Sequence, residues 1–232
     1  MKLSIIIPVY NEQATIREVV ERVRAVDLGT TEKEIIIIDD GSHDQSPKLI
    51  SEIQKMDPSV IKIHHSLINL GKGAAIRFGL EYSTGDIIMV QDADLELNPE
   101  EYPNLLAPIL AGQADVVYGS RFKSGKNRIP LKTRLANKFL VVLTNVLYAG
   151  HLTDMATAYK VFKRPVIKSF KLRSAGFEFE PEITARLLLG KYRIFEVPIS
   201  YNPRSVTQGK KIGFIDGIEY IYTLLKYRFW GK

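Results

Sequence analysis

Lys2-Leu3-Ser4-Ile5-Ile6-Ile7-Pro8-Val9 is a β-branched, nearly continuous apolar run. That is the pattern of a strand covered on both faces inside a parallel sheet. Asn11 stands where it can cap the helix that follows, whose core stripe is Ile16, Val19, Val20 and Val23. The unit then recurs. Residues 34–38 repeat the buried strand and end in Asp39-Asp40-Gly41-Ser42, and Leu49, Ile50 and Ile53 follow at helical spacing. Residues 60–64 read as a third short strand, and Asn69-Leu70-Gly71-Lys72-Gly73 turns the chain into a helix over 74–82. After a fourth strand, Pro99-Glu100-Glu101 starts a helix with proline and acids where the helix dipole favours them, and Asp115-Val116-Val117-Tyr118 is a fifth strand. The alternation βαβαβαβαβ predicts an α/β fold, Rossmann-like, with a doubly wound, mostly parallel sheet flanked by helices.

Such sheets bind ligands outside the carboxyl ends of their strands. Pro8-Val9-Tyr10, Asp39-Asp40 and the end of the fourth strand all fall there, so three polar clusters are expected on one rim. The fourth strand is the most explicit. In Ile87-Ile88-Met89-Val90-Gln91-Asp92-Ala93-Asp94-Leu95-Glu96 an apolar run stops at three carboxylates spaced two residues apart. If extended geometry persists, Asp92, Asp94 and Glu96 point to one side. They would then converge on a hard cation, Mg²⁺ or Mn²⁺, an ion that usually also holds substrate phosphates. The plainer alternative is a solvated turn after a buried strand.

The chain has 232 residues, 45% of them hydrophobic and 25% charged, with no cysteine. Disulfides and thiolate metal sites are excluded, and a reducing cytoplasm is allowed. The start is too short in apolar length for a secretory signal, and no apolar stretch approaches the roughly 20 residues of a spanning helix. The net charge of +6 conceals an asymmetry. Residues 1–115 hold 10 Lys/Arg against 19 Asp/Glu, whereas residues 116–232 hold 22 against 7. Between Asp115 and Asp154 there is no acid, yet Arg121, Lys123, Lys126, Arg128, Lys132, Arg134 and Lys138 fall there. A basic surface suits phosphates, anionic lipid or nucleic acid. Nucleic acid is the weakest of the three, since no recognised nucleic-acid module or aromatic-interleaved basic patch is present.

Beyond Gly119 the pattern changes. Residues 123–130 read as a loop, and residues 131–148 as a long apolar helix with Leu135, Phe139, Val142, Leu143, Val146 and Leu147, suited to core packing by default or to a bilayer surface. Residues 158–162 and 193–198 are later strand candidates, with a helix over 180–189 between them. Residues 201–212 are polar, basic and turn-rich. The final helix, 215–230, places Ile218, Ile221, Tyr222 and Leu225 on one face, with Lys226, Arg228 and Lys232 near its end. No internal repeat or linker divides the chain, so a single compact unit over 1–232 is expected.

Taken in order, Pro8-Val9-Tyr10-Asn11-Glu12, Asp39-Asp40-Gly41-Ser42, Asn69-Leu70-Gly71-Lys72-Gly73, Asp92-Ala93-Asp94, Gly119-Ser120-Arg121-Phe122, residues 154–162, and Arg204 with Gly209-Lys210-Lys211 form a series. The chain resembles an inverting family 2 glycosyltransferase of GT-A fold, of the polyprenyl-phosphate (dolichyl-phosphate) hexosyltransferase type. The resemblance implies that residues 1–119 form the nucleotide-sugar half and 120–232 the acceptor and lid half, with C-terminal helices on the acceptor side. It implies that Pro8, Tyr10, Glu12 and Asp40, with Asp39, Lys72 and Ala93 beside them, hold the nucleotide sugar, and that Asp92 and Asp94 grip an ion bridging its two phosphates. Where some relatives carry Gln, this chain has Glu96 as the third ligand candidate. Arg121, Arg204, Lys210 and Lys211 fit phosphate roles, Arg121 and Arg134 toward the acceptor phosphate, with Asp94, Arg121 and Arg204 as the catalytic set. Gly71-Lys72-Gly73 lacks the P-loop spacing.

The reaction so implied moves a hexose from GDP-mannose or UDP-glucose to a polyprenyl phosphate. The expected partners are the nucleotide-sugar donor, the lipid acceptor, a membrane surface and, in some arrangements, a separate membrane-anchor subunit. The expected location is cytoplasmic, peripheral on the inner face of the membrane. A lipid phosphate needs no general base, whereas a sugar hydroxyl would need a carboxylate, for which Asp154, Glu178, Glu180 and Glu182 are candidates. The alternatives are a transferase extending a saccharide hydroxyl in cell-surface glycan synthesis, or a non-catalytic sugar-nucleotide-binding subunit.

Overall fold

A computed structural model of the chain describes residues 1–125, 127–204 and 213–231. Among these, β1 (Lys2–Val9), β2 (Glu32–Asp39), β3 (Ile61–His65), β4 (Ile87–Val90), β5 (Val116–Ser120), β6 (Lys160–Lys163) and β7 (Ile194–Pro198) make one sheet in the order β3-β2-β1-β4-β6-β5-β7. The first four strands pair in parallel, as the alternation of elements predicts. The register joins Val9 to Asp39, so the ends of β1 and β2 stop together.

Strand geometry sends successive side chains to opposite faces. Leu3, Ile5, Ile7 and Val9 meet the buried stripes of α1 (Ile16–Ala25), α2 (Ser46–Met56) and α4 (Tyr102–Leu110), whereas Ile6, Ile88 and Val90 meet α3 (Lys72–Tyr82), α6 (Arg164–Lys168) and α7 (Phe179–Leu189). A third apolar cluster joins α5 (Leu131–Tyr148) and α8 (Phe214–Phe229) to the outer side of α7 through Leu140, Tyr148, Ala185, Tyr220 and Leu224. Helices thus cover both faces, and α5 and α8 form an added layer on one of them.

One expectation is corrected. Asn11 does not cap α1; it sits at φ 51° and its side-chain oxygen accepts the His43 N–H, tying the loop after β1 to the loop after β2. The strand candidate at 158–162 forms β6, which runs antiparallel between β4 and β5, with Phe162 opposite Ile88 on one side and Val116 on the other. Its reversed direction brings the residues that precede it, 154–159, to the rim where the parallel strands end.

The apolar stripes of the last two long helices are also placed differently from a core reading. In α5 the inward residues are Asn137, Leu140, Val141, Thr144 and Tyr148, and Leu131, Leu135, Phe139, Val142 and Val146 stand 53 to 76% exposed. In α8, Tyr220, Thr223, Leu224 and Tyr227 are buried and Ile215, Ile218 and Tyr222 are exposed. Both helices are apolar on a second, outward face. Among the described residues no helix is long and apolar enough to cross a membrane.

Candidate active site

A cavity of about 810 Å³ opens over the carboxyl ends of β1, β2, β4 and β5. Its walls include Pro8, Tyr10, Glu12, Asp40, Lys72, Asp92, Ala93, Asp94, Glu96, Arg121 and Arg204, so most of the residues singled out in the sequence share one chamber. Lys210 and Lys211 lie outside the described residues. Two others are placed elsewhere. Asp39 turns to the neighbouring groove, where it pairs with the His65 ring at 2.9 Å and accepts the Ser42 N–H. Arg134 stands on the exposed side of α5; the helical period brings Lys132, Thr133, Ala136, Asn137 and Leu140 to the cavity instead.

The loops that carry these side chains are held from beneath. Asp40 accepts the N–H groups of Leu70 and Gly71 at 2.9 and 2.8 Å, which fastens the loop before α3 to the end of β2. Gly71 at φ 99° is irreplaceable there, because a Cβ would lie 2.5 Å from the Ala175 carbonyl oxygen. Gln91, fully buried after β4, accepts from the hydroxyls of Tyr102 and Tyr159 and donates to the Asp92 carbonyl, locking the acidic turn. Thr15 reaches the same turn by donating to the Ala93 carbonyl.

The acidic turn does not continue the strand. After Val90 the chain bends, and the three carboxylates engage different groups: Asp92 pairs with Lys72 at 2.7 Å, Asp94 with Arg204 at 2.7 Å, and Glu96 accepts the Arg204 backbone N–H at 2.8 Å. Among the described residues no three Asp, Glu, His or Cys side chains are gathered to hold a metal ion, so the structure does not bring Glu96 in as a third ligand. Asp92 and Asp94 still suit a hard ion. Mg²⁺ is commonly held by one or two carboxylates with substrate phosphates completing its shell. Burial, and then the charges of Asp92 and Glu96, push the Asp94 carboxyl up to about 7, although Arg204 opposes the shift. A divalent ion would relieve that crowding of negative charge.

Two arginines of the cavity are equally committed. Arg204 bridges Glu12 at 3.0 Å and Asp94, and its buried Nε has no hydrogen-bond partner among the described residues, lying 3.9 Å from Glu96. Arg121 holds the fully buried Asp154 by two side-chain bonds, at 2.7 and 2.8 Å, plus its backbone N–H. Its guanidinium lies 5.2 Å from the centre of the Tyr201 ring. Burial acts against the charge of Arg121, but Asp154 outweighs it, so the group stays protonated throughout.

Sequence reading missed Lys132, Asn137, Phe177, Tyr201 and Tyr220 as cavity wall, and Lys160 behind it. For Lys132 and Asn137 the helical period of residues 131–148 was the available signal. For Lys160 there was none, because its partner Glu180 comes from a different element.

The sequence pattern described as "Glycosyl transferase family 2" matches residues 4–170. The chain belongs to that family, its fold is of the GT-A class, and it spans just under two thirds of the first of the relatives below. It is 29% identical over 234 residues to the dolichol-phosphate mannosyltransferase of Pyrococcus furiosus, covering 98% of this chain and 64% of that protein. It is 28% identical over 217 residues to the polyprenol monophosphomannose synthase of Mycolicibacterium smegmatis, covering 90% of this chain and 80% of that one. Among solved structures, glucosyl-3-phosphoglycerate synthase from Mycobacterium tuberculosis in complex with Mn²⁺, uridine diphosphate and phosphoglyceric acid superposes with a TM-score of 0.72 at 23% identity, covering 98% of this chain and 78% of that one. That likeness concerns the fold.

Proposed function

We propose that the chain is a divalent-metal-dependent inverting glycosyltransferase that moves a hexose from a nucleoside-diphosphate sugar, GDP-mannose or UDP-glucose, to a polyprenyl phosphate at a membrane surface. The observation that carries the choice of acceptor is the engagement of every acid named as a general base. Asp154 is spent on Arg121; Glu178 accepts the N–H groups of Ala175 and Gly176; Glu182 accepts those of Arg173 and Ser174 and bonds Arg186 and Tyr227; Glu180 pairs with Lys160. A hydroxyl acceptor needs a base within reach, whereas a phosphate monoester arrives ionised. The names of the Pyrococcus and Mycolicibacterium relatives agree with a polyprenyl phosphate acceptor.

In this reading Tyr10, Glu12 and Asp40 hold the nucleoside, while Lys72 and Arg204 meet the diphosphate, their positive charge offsetting the charge that grows as it leaves. Arg121 and Lys132 receive the acceptor phosphate. An oxygen of that phosphate forms the new bond to the anomeric carbon as the bond to the nucleoside diphosphate breaks, inverting the centre. A divalent ion held by Asp92 and Asp94 would supply further positive charge to the departing diphosphate. The exposed apolar residues of α5 and α8, with Lys132, Arg134 and Lys138 beside them, rest against the cytoplasmic face of the membrane and deliver the lipid to the cavity wall that the two helices share.

The test is to incubate the chain with radiolabelled GDP-mannose or UDP-glucose and Mn²⁺, offering polyprenyl phosphate and oligosaccharides in parallel. Label should pass into organic-soluble lipid and stop when Asp94→Ala replaces the wild type. Label found only in oligosaccharide would contradict the acceptor assignment.

A further inference from the structure

Lys160 is a lysine in the middle of a sheet, 1% exposed, on the antiparallel strand β6. Its ammonium is bonded to Glu180 and to the Thr157 carbonyl, and it lies 4.8 Å from the centre of the Tyr118 ring. A pair buried this deeply seldom repays the desolvation of both charges, and an apolar pair of the same volume is often at least as stable. Its purpose is therefore sought in geometry rather than in stability. Glu180 lines the cavity, and the oxygen not taken by Lys160 lies 3.5 Å from the Lys72 ammonium. Lys72 in turn is 2.7 Å from Asp92. The four groups make an alternating row of charge that begins in the core and ends on the cavity floor.

Lys72 stands at the first position of α3 on a long, flexible side chain, and Asp92 is the partner it loses whenever that carboxylate is engaged elsewhere. Glu180 is not lost in the same way, because Lys160 holds it from behind. We infer that Glu180, clamped by the buried Lys160, is a positioning residue that keeps the Lys72 ammonium on the cavity floor, where it meets the negative charge of the donor diphosphate. Glu180 itself does not touch the reacting atoms; it acts through Lys72. The inference rests on the donor reading of the cavity given above.

Because Glu180 acts through Lys72, the two residues must be coupled, and a double-mutant cycle measures coupling directly. The affinity of UDP or GDP with Mn²⁺ is measured by calorimetry for the wild type, Lys72→Ala, Glu180→Gln and the double variant, with thermal unfolding as a control for folding. Glu180→Gln should weaken nucleotide binding about tenfold when Lys72 is present and less than about twofold when it is absent. In turnover it should raise the donor KM more than it lowers kcat, which a general loss of folded protein would not do. Lys160→Met, which releases the clamp from the other side, should reproduce the Glu180→Gln effect on affinity. Equal penalties in the two Lys72 backgrounds would overturn this inference alone. A wild-type chain that binds neither nucleotide would overturn the donor reading and this inference with it.

Discussion

Asp94 is the residue at which burial and like charge act together. Its carboxyl, raised to about 7 in the fold against an ordinary value near 4, favours the folded state when protonated. That contribution is complete below the unfolded value and is lost as pH rises through about 7. In the presence of a chelator, Asp94→Asn should therefore be more stable than the wild type by about 2 to 4 kcal/mol at pH 8, the difference vanishing toward pH 4. Urea unfolding at a series of pH values reads this directly, and a difference independent of pH would contradict it. The Arg121–Asp154 pair makes the opposite kind of statement. Removing the guanidinium by Arg121→Ala strands a fully buried carboxylate and should cost about 3 to 5 kcal/mol in the same assay. At this scale the site was legible wherever a polar residue follows directly on a buried strand. Pro8, Tyr10, Glu12, Asp40, Asp92 and Asp94 reach one cavity because β1, β2 and β4 run parallel and their carboxyl ends open on the same rim. It was illegible where a side chain's partner is remote. Asp39 goes to His65, and Glu96 to the backbone of Arg204, 108 residues away; nothing in the local pattern announces either.

Elements separate the legible from the hidden in a similar way. Local pattern located the first five strands and the long helices, since a short continuous apolar run and a 3.6-residue stripe are written in the local sequence. It did not reveal that β6 enters antiparallel between β4 and β5, because a strand of only four residues reads alike in either direction. Nor did it reveal which apolar stripe of α5 and α8 faces inward, since each helix has two. The outward stripe of α5, from Leu131 to Val146, carries a prediction that belongs to the helix as a whole. Replacing Leu135 and Phe139 by Glu should leave the unfolding temperature within a few degrees of the wild type, since both side chains already stand in water. Flotation with vesicles containing anionic lipid should fall severalfold in the same variant. Unchanged flotation would remove α5 from the membrane contact.

For the whole molecule, the acidic first half and basic second half noted in the sequence meet across the cavity: Glu12, Asp92 and Asp94 come from strand ends of the first, Arg121 and Arg204 from the second. The fold turns a charge asymmetry along the chain into ion pairs across a chamber, where Lys72, Arg121 and Arg204 are each held by an acid. Such an arrangement couples nucleotide and metal, because each ligand removes part of the opposition the other would meet. The measurement that tests the account most directly is a calorimetric titration of UDP and of GDP into the chain with Mn²⁺, with a chelator, and with Asp94→Ala in place of the wild type. The account predicts tight binding of at least one nucleotide with Mn²⁺ and a loss of at least about tenfold in both of the other settings. Binding of equal strength in all three would show that Asp92 and Asp94 do not hold the ion on which the proposed function depends.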